Sequence, residues 1–207
     1  VQIPESAQAE TEQGELTAQS QYQASNITKP LNIKYKDRQG VLYTLNDRDL
    51  TAKVASDNRS CDFSDVDGVY EIPAKVTFKG KEYVVREVEE RAFYRVSTLK
   101  EIIIPDTVVT IGDFAFSTSS LNVLSLGMRV KNMNRSAFLE ASCQIYINEN
   151  NPFFKFVGDV LYDMGEMSVV AYFGSEEKDS FVIMDGTKSV GPYAFQDAKI
   201  DKVYLPD

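Results

Sequence analysis

The chain has no histidine, no tryptophan and only two cysteines, and no apolar run reaches the length of a membrane-spanning helix. Without histidine the usual general base, the usual neutral metal ligand and the usual switch near neutral pH are all missing. Cys61 and Cys143 are too few for a disulfide framework and too isolated for a zinc site, so neither a metal nor a cofactor is expected. Basic residues are also scarce: 22 Lys and Arg against 31 Asp and Glu leave a formal charge of −9. A phosphate-binding surface needs clustered cations to release counterions, and no basic block occurs, which argues against nucleic acid as a partner. The chain starts at Val1 rather than Met and shows no leader pattern, as expected of a mature protein or a piece that lacks its signal segment.

What is present divides along the 207 residues. Residues 1–31 are rich in Gln, Glu, Ala, Ser and Thr and too poor in large apolar groups to offset the entropy of ordering, so a disordered or extended tether is expected. From Asn32 the runs LNIKY, VLYTL and LTAKVAS predict a small antiparallel meander. YEIPAKVTF and KEYVVREV then read as two strands joined at Lys79-Gly80, with Pro73 marking an edge or a strand start. Together, 32–84 are expected to form an N-terminal β cap.

The stretch VTIGDFAF (109–116) fits neither a helical nor a strand period, and it turns out to be one copy of a repeat. Ala-Phe recurs at Ala92-Phe93, Ala115-Phe116, Ala137-Phe138 and Ala194-Phe195. Five residues before each Phe stands Val88, Ile111, Met133 or Val190, and three before that Val85, Val108, Val130 or Thr187. After each Phe come Leu99, Leu121, Cys143 or Ile200 and then an apolar-x-apolar strand: Ile102/Ile104, Leu124/Leu126, Ile145/Ile147 and Val203/Leu205. Such tied offsets predict a solenoid over 85–207, with a β-hairpin inserted at about 152–184 where the interval between anchors lengthens.

LKEIIIPDTVVTIGDFAF, NNPFFKFVGDVLYDMGEMSVVAYF and VGPYAFQDAKIDKVYLP resemble the BspA-like leucine-rich repeats of bacterial surface and secreted proteins. GVLYTLNDRDLTAKVAS and YEIPAKVTFKGKEYVVREVEERAF resemble the N-terminal unit of such proteins, so the likeness covers about residues 40–207. It departs at Cys143-Gln144, where the third repeat is one residue short. The resemblance implies an α/β, strand-rich solenoid of short parallel strands with turns or single helical turns on the convex side. It also implies an extracellular or cell-surface location, adhesion in some members, and no enzymatic activity of the repeat itself.

Each repeat is too small to bury its own apolar face and must stack on its neighbours. The expected core is therefore Val88, Phe93, Ile111, Phe116, Met133, Phe138, Val190 and Phe195, the four Phe forming a ladder. The residues between the inward ones point outward. They give a candidate binding strip of Glu101, Ile103, Val123, Ser125, Gln144, Tyr146, Lys202 and Tyr204. Asp62, Asp65 and Asp67 lack the spacing and the distal Glu of a calcium loop. Glu89-Glu90 and Glu176-Glu177 read as solvated surface, and Cys143, in a core slot without a His partner, reads as an inert thiol. Asn58-Arg59-Ser60 and Asn134-Arg135-Ser136 have the glycosylation pattern, relevant only to a eukaryotic secretory route. No catalytic residue is expected. The leading reading is a non-catalytic binding or adhesion module that recognises a host or neighbouring-cell protein. A spacer displaying another domain, or a carbohydrate-active enzyme using Asp/Glu chemistry, are the alternatives. The strand edge at Tyr204-Leu205-Pro206-Asp207 suggests either a continuing chain or pairing with a second copy.

Overall fold

The computed structural model describes residues 32–55, 68–141 and 143–206. The expected tether, Cys61, Asp62, Asp65, Asp67, the first glycosylation pattern and Asp207 lie outside the described residues. The molecule is strand-rich, and the only helix among the described residues is a single 3-10 turn, Arg135–Phe138.

Strands β1 (Asn32–Lys36), β2 (Leu42–Asn46) and β3 (Thr51–Val54) pair antiparallel in order. Alternation in β2 sends Tyr43 and Leu45 into the core. YEIPAKVTF does not form the single strand expected of it. Pro73, which has no backbone N–H to donate, falls between β4 (Val69–Glu71) and β5 (Lys75–Phe78), and the two join different sheets. β5 forms a hairpin with β6 (Lys81–Val88) through Lys79 and Gly80, whose φ of 48° and 78° suit a tight two-residue turn. β6 also runs parallel to β3 and to β8 (Thr110–Ile111).

β4 pairs in parallel with β7 (Glu101–Ile103), followed by β9 (Val123–Leu126) and β10 (Gln144–Ile147). Each strand turns one side inward, so Tyr70, Ile72, Ile102, Ile104, Leu124, Leu126 and Ile145 are buried. On the opposite side the chain returns through turns whose hydrogen bonding follows a simple rule. Alternate N–H groups close the turn on themselves: Ala92 donates to Glu89, Tyr94 to Arg91 and Val96 to Phe93. The intervening ones reach the next turn: Arg91 donates to Asp113, Phe93 to Ala115 and Arg95 to Ser117. Every donor in the turn is thus used, as burial of the backbone demands. The alternation needs left-handed backbone two residues before and after the Phe, at Arg91 and Arg95, Phe114 and Thr118, Tyr193 and Asp197, all with φ between 53° and 61°. The third turn keeps only the second such residue, Glu140, because the 3-10 turn takes the place of the first.

Two glycines mark where adjacent turns approach most closely. A Cβ on Gly112 would sit 2.5 Å from the Glu90 nitrogen, and one on Gly127 2.6 Å from the Pro105 oxygen. Asn151 closes the third repeat from the other side. Its buried amide donates to the carbonyls of Gly127 and Val130, at 3.1 and 3.0 Å, and its oxygen accepts from the N–H groups of Phe153 and Phe154.

After this point the pattern changes. β11 (Phe154–Val157), β12 (Val160–Asp163) and β13 (Ser168–Tyr172) form an antiparallel meander. β14 (Phe181–Val182) pairs in parallel with β16 (Val203–Tyr204), while β15 (Ser189–Val190) runs parallel to β13.

Phe93, Phe116 and Phe138 are fully buried and stacked, with centroids 5.6 and 6.1 Å apart and ring planes within 12° and 10°. Tyr70 continues the row at one end and Phe173 meets Phe138 edge-on at the other. The expected fourth rung, Phe195, is elsewhere: it is half-buried and stacks on Tyr172 at 5.8 Å in a second, smaller core. Tyr172 explains why. Its N–H donates to the Ala194 carbonyl as Phe93 does to Ala115, and Ala171 before it is fully buried. Ala171-Tyr172 is therefore the anchor of the repeat between Phe138 and Phe195. Val88 and Ile111 are buried in the main core and Met133 packs against it half-buried, but Val190, expected inside, is 43% exposed. Among the described residues β15 has a neighbour on one side only, which leaves that side chain uncovered. Val203 and Leu205, also expected inward, are exposed for the same reason, since among the described residues β16 pairs only with β14.

Candidate binding face

The outward residues of the parallel sheet fall into two rows fixed by register. One row runs Val69, Glu101, Val123, Gln144, and the next Glu71, Ile103, Ser125, Tyr146. The sequence-derived strip thus has six of its eight residues side by side, while Lys202 and Tyr204 belong to the separate β14–β16 pair. Glu101, Ile103, Val123 and Ser125 are half-buried by their neighbours, whereas Gln144 is exposed and Tyr146 is 52% exposed. Tyr204, also 52% exposed, stands on the separate pair. Val69 and Glu71 were not anticipated. Their signal was in the sequence: Tyr70-Glu71-Ile72-Pro73 has the same apolar-x-apolar-Pro form as Ile102-Ile103-Ile104-Pro105.

A cavity of about 530 Å³ opens beside Tyr146, lined also by Asn148, Glu149, Lys155 and Phe156. Glu71 and Glu101 form no ion pair among the described residues. The face therefore offers an aromatic ring, aliphatic ground and unpaired carboxylates, a combination suited to contact rather than to bond chemistry. No group of three His, Cys, Asp or Glu able to hold a metal occurs among the described residues. Cys143 is buried, and burial pushes its thiol up to about 11. Such a thiol holds little of the thiolate that nucleophilic chemistry requires. No helix among the described residues is long and apolar enough to cross a membrane.

Residues 75–160 match the family model described as BspA type leucine rich repeat region (6 copies). That stretch is a BspA-type leucine-rich-repeat region. No curated protein matches the chain. Among solved structures it is similar to the pneumococcal vaccine antigen PcpA, with 15% identity over 86% of this chain and 66% of that one, at a TM-score of 0.42. A leucine-rich repeat protein from Bacteroides ovatus ATCC 8483 shares 23% identity over 84% of this chain and 40% of its own, at a TM-score of 0.46. The T. pallidum leucine rich repeat protein TpLRR shares 20% over 84% and 72%, at 0.47. The chain thus spans about two thirds or less of the first two. The repeat region holds the ring ladder, the left-handed turns and strands β7, β9 and β10 that carry most of the candidate face.

Proposed function

We propose that the chain is a non-catalytic module, displayed at a bacterial cell surface or secreted, that binds a protein partner through the outward face of its parallel sheet. The observation that carries this reading is Tyr146. It is an exposed aromatic on a rigid strand, with Gln144 beside it along the strand and Ser125 and Ile103 across the sheet. Aromatic residues on a rigid platform are the usual centres of binding energy. Curved repeat stacks use such faces for recognition. In the same reading the 32–84 segment caps the stack, 85–207 form the solenoid, and the antiparallel β11–β13 unit is a hairpin inserted into one repeat. Lys202 and Tyr204 contribute a second, separate contact.

The test is surface plasmon resonance of the chain over a panel of immobilised extracellular-matrix and host-surface proteins. Saturable binding to at least one is expected, weakened at least about tenfold by Tyr146→Ala. Binding that Tyr146→Ala and Tyr204→Ala leave unchanged would overturn the assigned face, and no binding across the panel would favour the spacer reading.

A further inference from the structure

Both ladders of the repeat stack stop at the same place. The parallel sheet ends at β10, and no backbone hydrogen bond joins the third turn to the β11–β13 unit among the described residues. Between them lies a cavity of about 570 Å³, within the range of small-molecule sites. Its walls carry both apolar and polar groups. Ile145, Phe156 and Phe173 supply apolar surface, while Arg135, Tyr172 and Asp197 supply polar groups.

Arg135 is the unusual member. It is 8% exposed, yet Nε and Nη1 have no hydrogen-bond partner. Its guanidinium rests on the Phe173 ring, 5.1 Å from the centroid. The buried hydroxyl of Tyr172 likewise makes no hydrogen bond, although the Lys178 amine lies over its ring at 5.7 Å from the centroid. A buried cation with idle donors is costly unless something compensates it. Asp197 on the same cavity wall favours the charged form but makes no ion pair with it. Lys178, behind the wall residue Asp159, is already held by it at 2.6 Å.

We propose that this cavity binds a small organic carboxylate, its anionic end held by Arg135 and its apolar body against Phe156 and Phe173. A planar guanidinium matches a carboxylate geometrically. The two aspartates on the wall disfavour a doubly charged phosphate in the same position. The ligand is thus a monoanion with an apolar part, and the site meets the outward sheet face only at its edge, through Gln144.

Isothermal titration with a panel of acetate, hexanoate, benzoate and 3-phenylpropionate tests the assignment, with 3-phenylpropanamide and inorganic phosphate as controls. A Kd of about 1 mM or tighter is expected for at least one carboxylate with an apolar body. The amide and Arg135→Met should each weaken binding at least about tenfold. Asp197→Asn, at an exposed left-handed position that Asn accommodates, should tighten it by removing a competing anion. Because Arg135→Met removes a buried charge whose Nε and Nη1 make no hydrogen bond, while its chain can still pack on Phe173, its melting temperature should hold or rise, which separates lost binding from lost folding. No binding by any carboxylate, binding indifferent to Arg135→Met in a folded variant, or preference for phosphate overturns the proposal.

Discussion

Phe116→Ala is the sharpest test of the ring ladder. Phe116 is fully buried between Phe93 and Phe138, stacked on both at 5.6 and 6.1 Å with nearly parallel planes. Truncating a buried Phe costs about 3–5 kcal/mol through lost transfer energy and the cavity left behind. Two stacked contacts add about 0.5–1.5 kcal/mol each, which puts this site at the upper end. The neighbouring turns cannot collapse into the space, because the bonds from Phe93 to Ala115 and from Phe116 to Ala137, both 2.8 Å, hold their spacing. Phe195→Ala is the internal control: half-buried and in the second core, it should cost only about 1–2 kcal/mol. Urea unfolding followed by far-UV circular dichroism and tyrosine fluorescence reads both, since the chain has 11 Tyr and no Trp. If Phe116→Ala loses less than about 1 kcal/mol, or no more than Phe195→Ala, the ladder is not what holds the stack together.

Gly112→Ala places a methyl 2.5 Å from the Glu90 nitrogen, a backbone atom that cannot swing aside, and should cost about 1–3 kcal/mol in thermal melts; a neutral result would mean the turns are free to separate. Asp113 accepts from Ser136 Oγ at 2.6 Å and Asn134 Nδ2 at 2.7 Å, and these two bonds, Ser136 first, hold its carboxyl below the ordinary 3.8. Stability from this group is therefore fully present above that ordinary value and is lost as pH falls through the lowered one. Asp113→Asn should accordingly show a smaller drop in urea midpoint than wild type between about pH 5 and about pH 3; equal drops would refute the assignment.

The repeat was legible because solenoid packing ties residues at fixed offsets, and an apolar slot filled in three or four copies leaves a periodic trace. Val85, Val108 and Val130, found buried, show that trace at its clearest. What escaped notice kept the geometry and changed the residue. Ala171-Tyr172 makes the inter-turn bond of an Ala-Phe pair, but a search anchored on Phe passes over it, and the straight strand β13 replaces the turn that normally precedes the anchor. Tyr70-Glu71-Ile72-Pro73 was read as the start of a longer strand, although its Pro ends an apolar-x-apolar unit as Pro105 does. The exposure of Val190 and Leu205 was beyond any local pattern. Burial of an inward-pointing side chain depends on a neighbour on each side, and sequence period says only which way the side chain points.

The same reasoning explains why the two candidate sites differ in kind. The outward rows consist of positions that packing constrains least, half-buried at Glu101, Ile103, Val123 and Ser125 and open at Gln144 and Tyr146, so many residues there are compatible with the fold. Arg135 stands where packing should constrain most strongly, since it is buried beside Phe173, where an apolar residue would carry no charge to bury. A charge retained there with no hydrogen bond to its Nε and Nη1 opposes folding unless something compensates it. A strip of free positions is weak evidence of function, because chance fills it at no cost. A buried cation with idle donors facing a cavity is stronger evidence, because burying such a charge costs stability unless something compensates it.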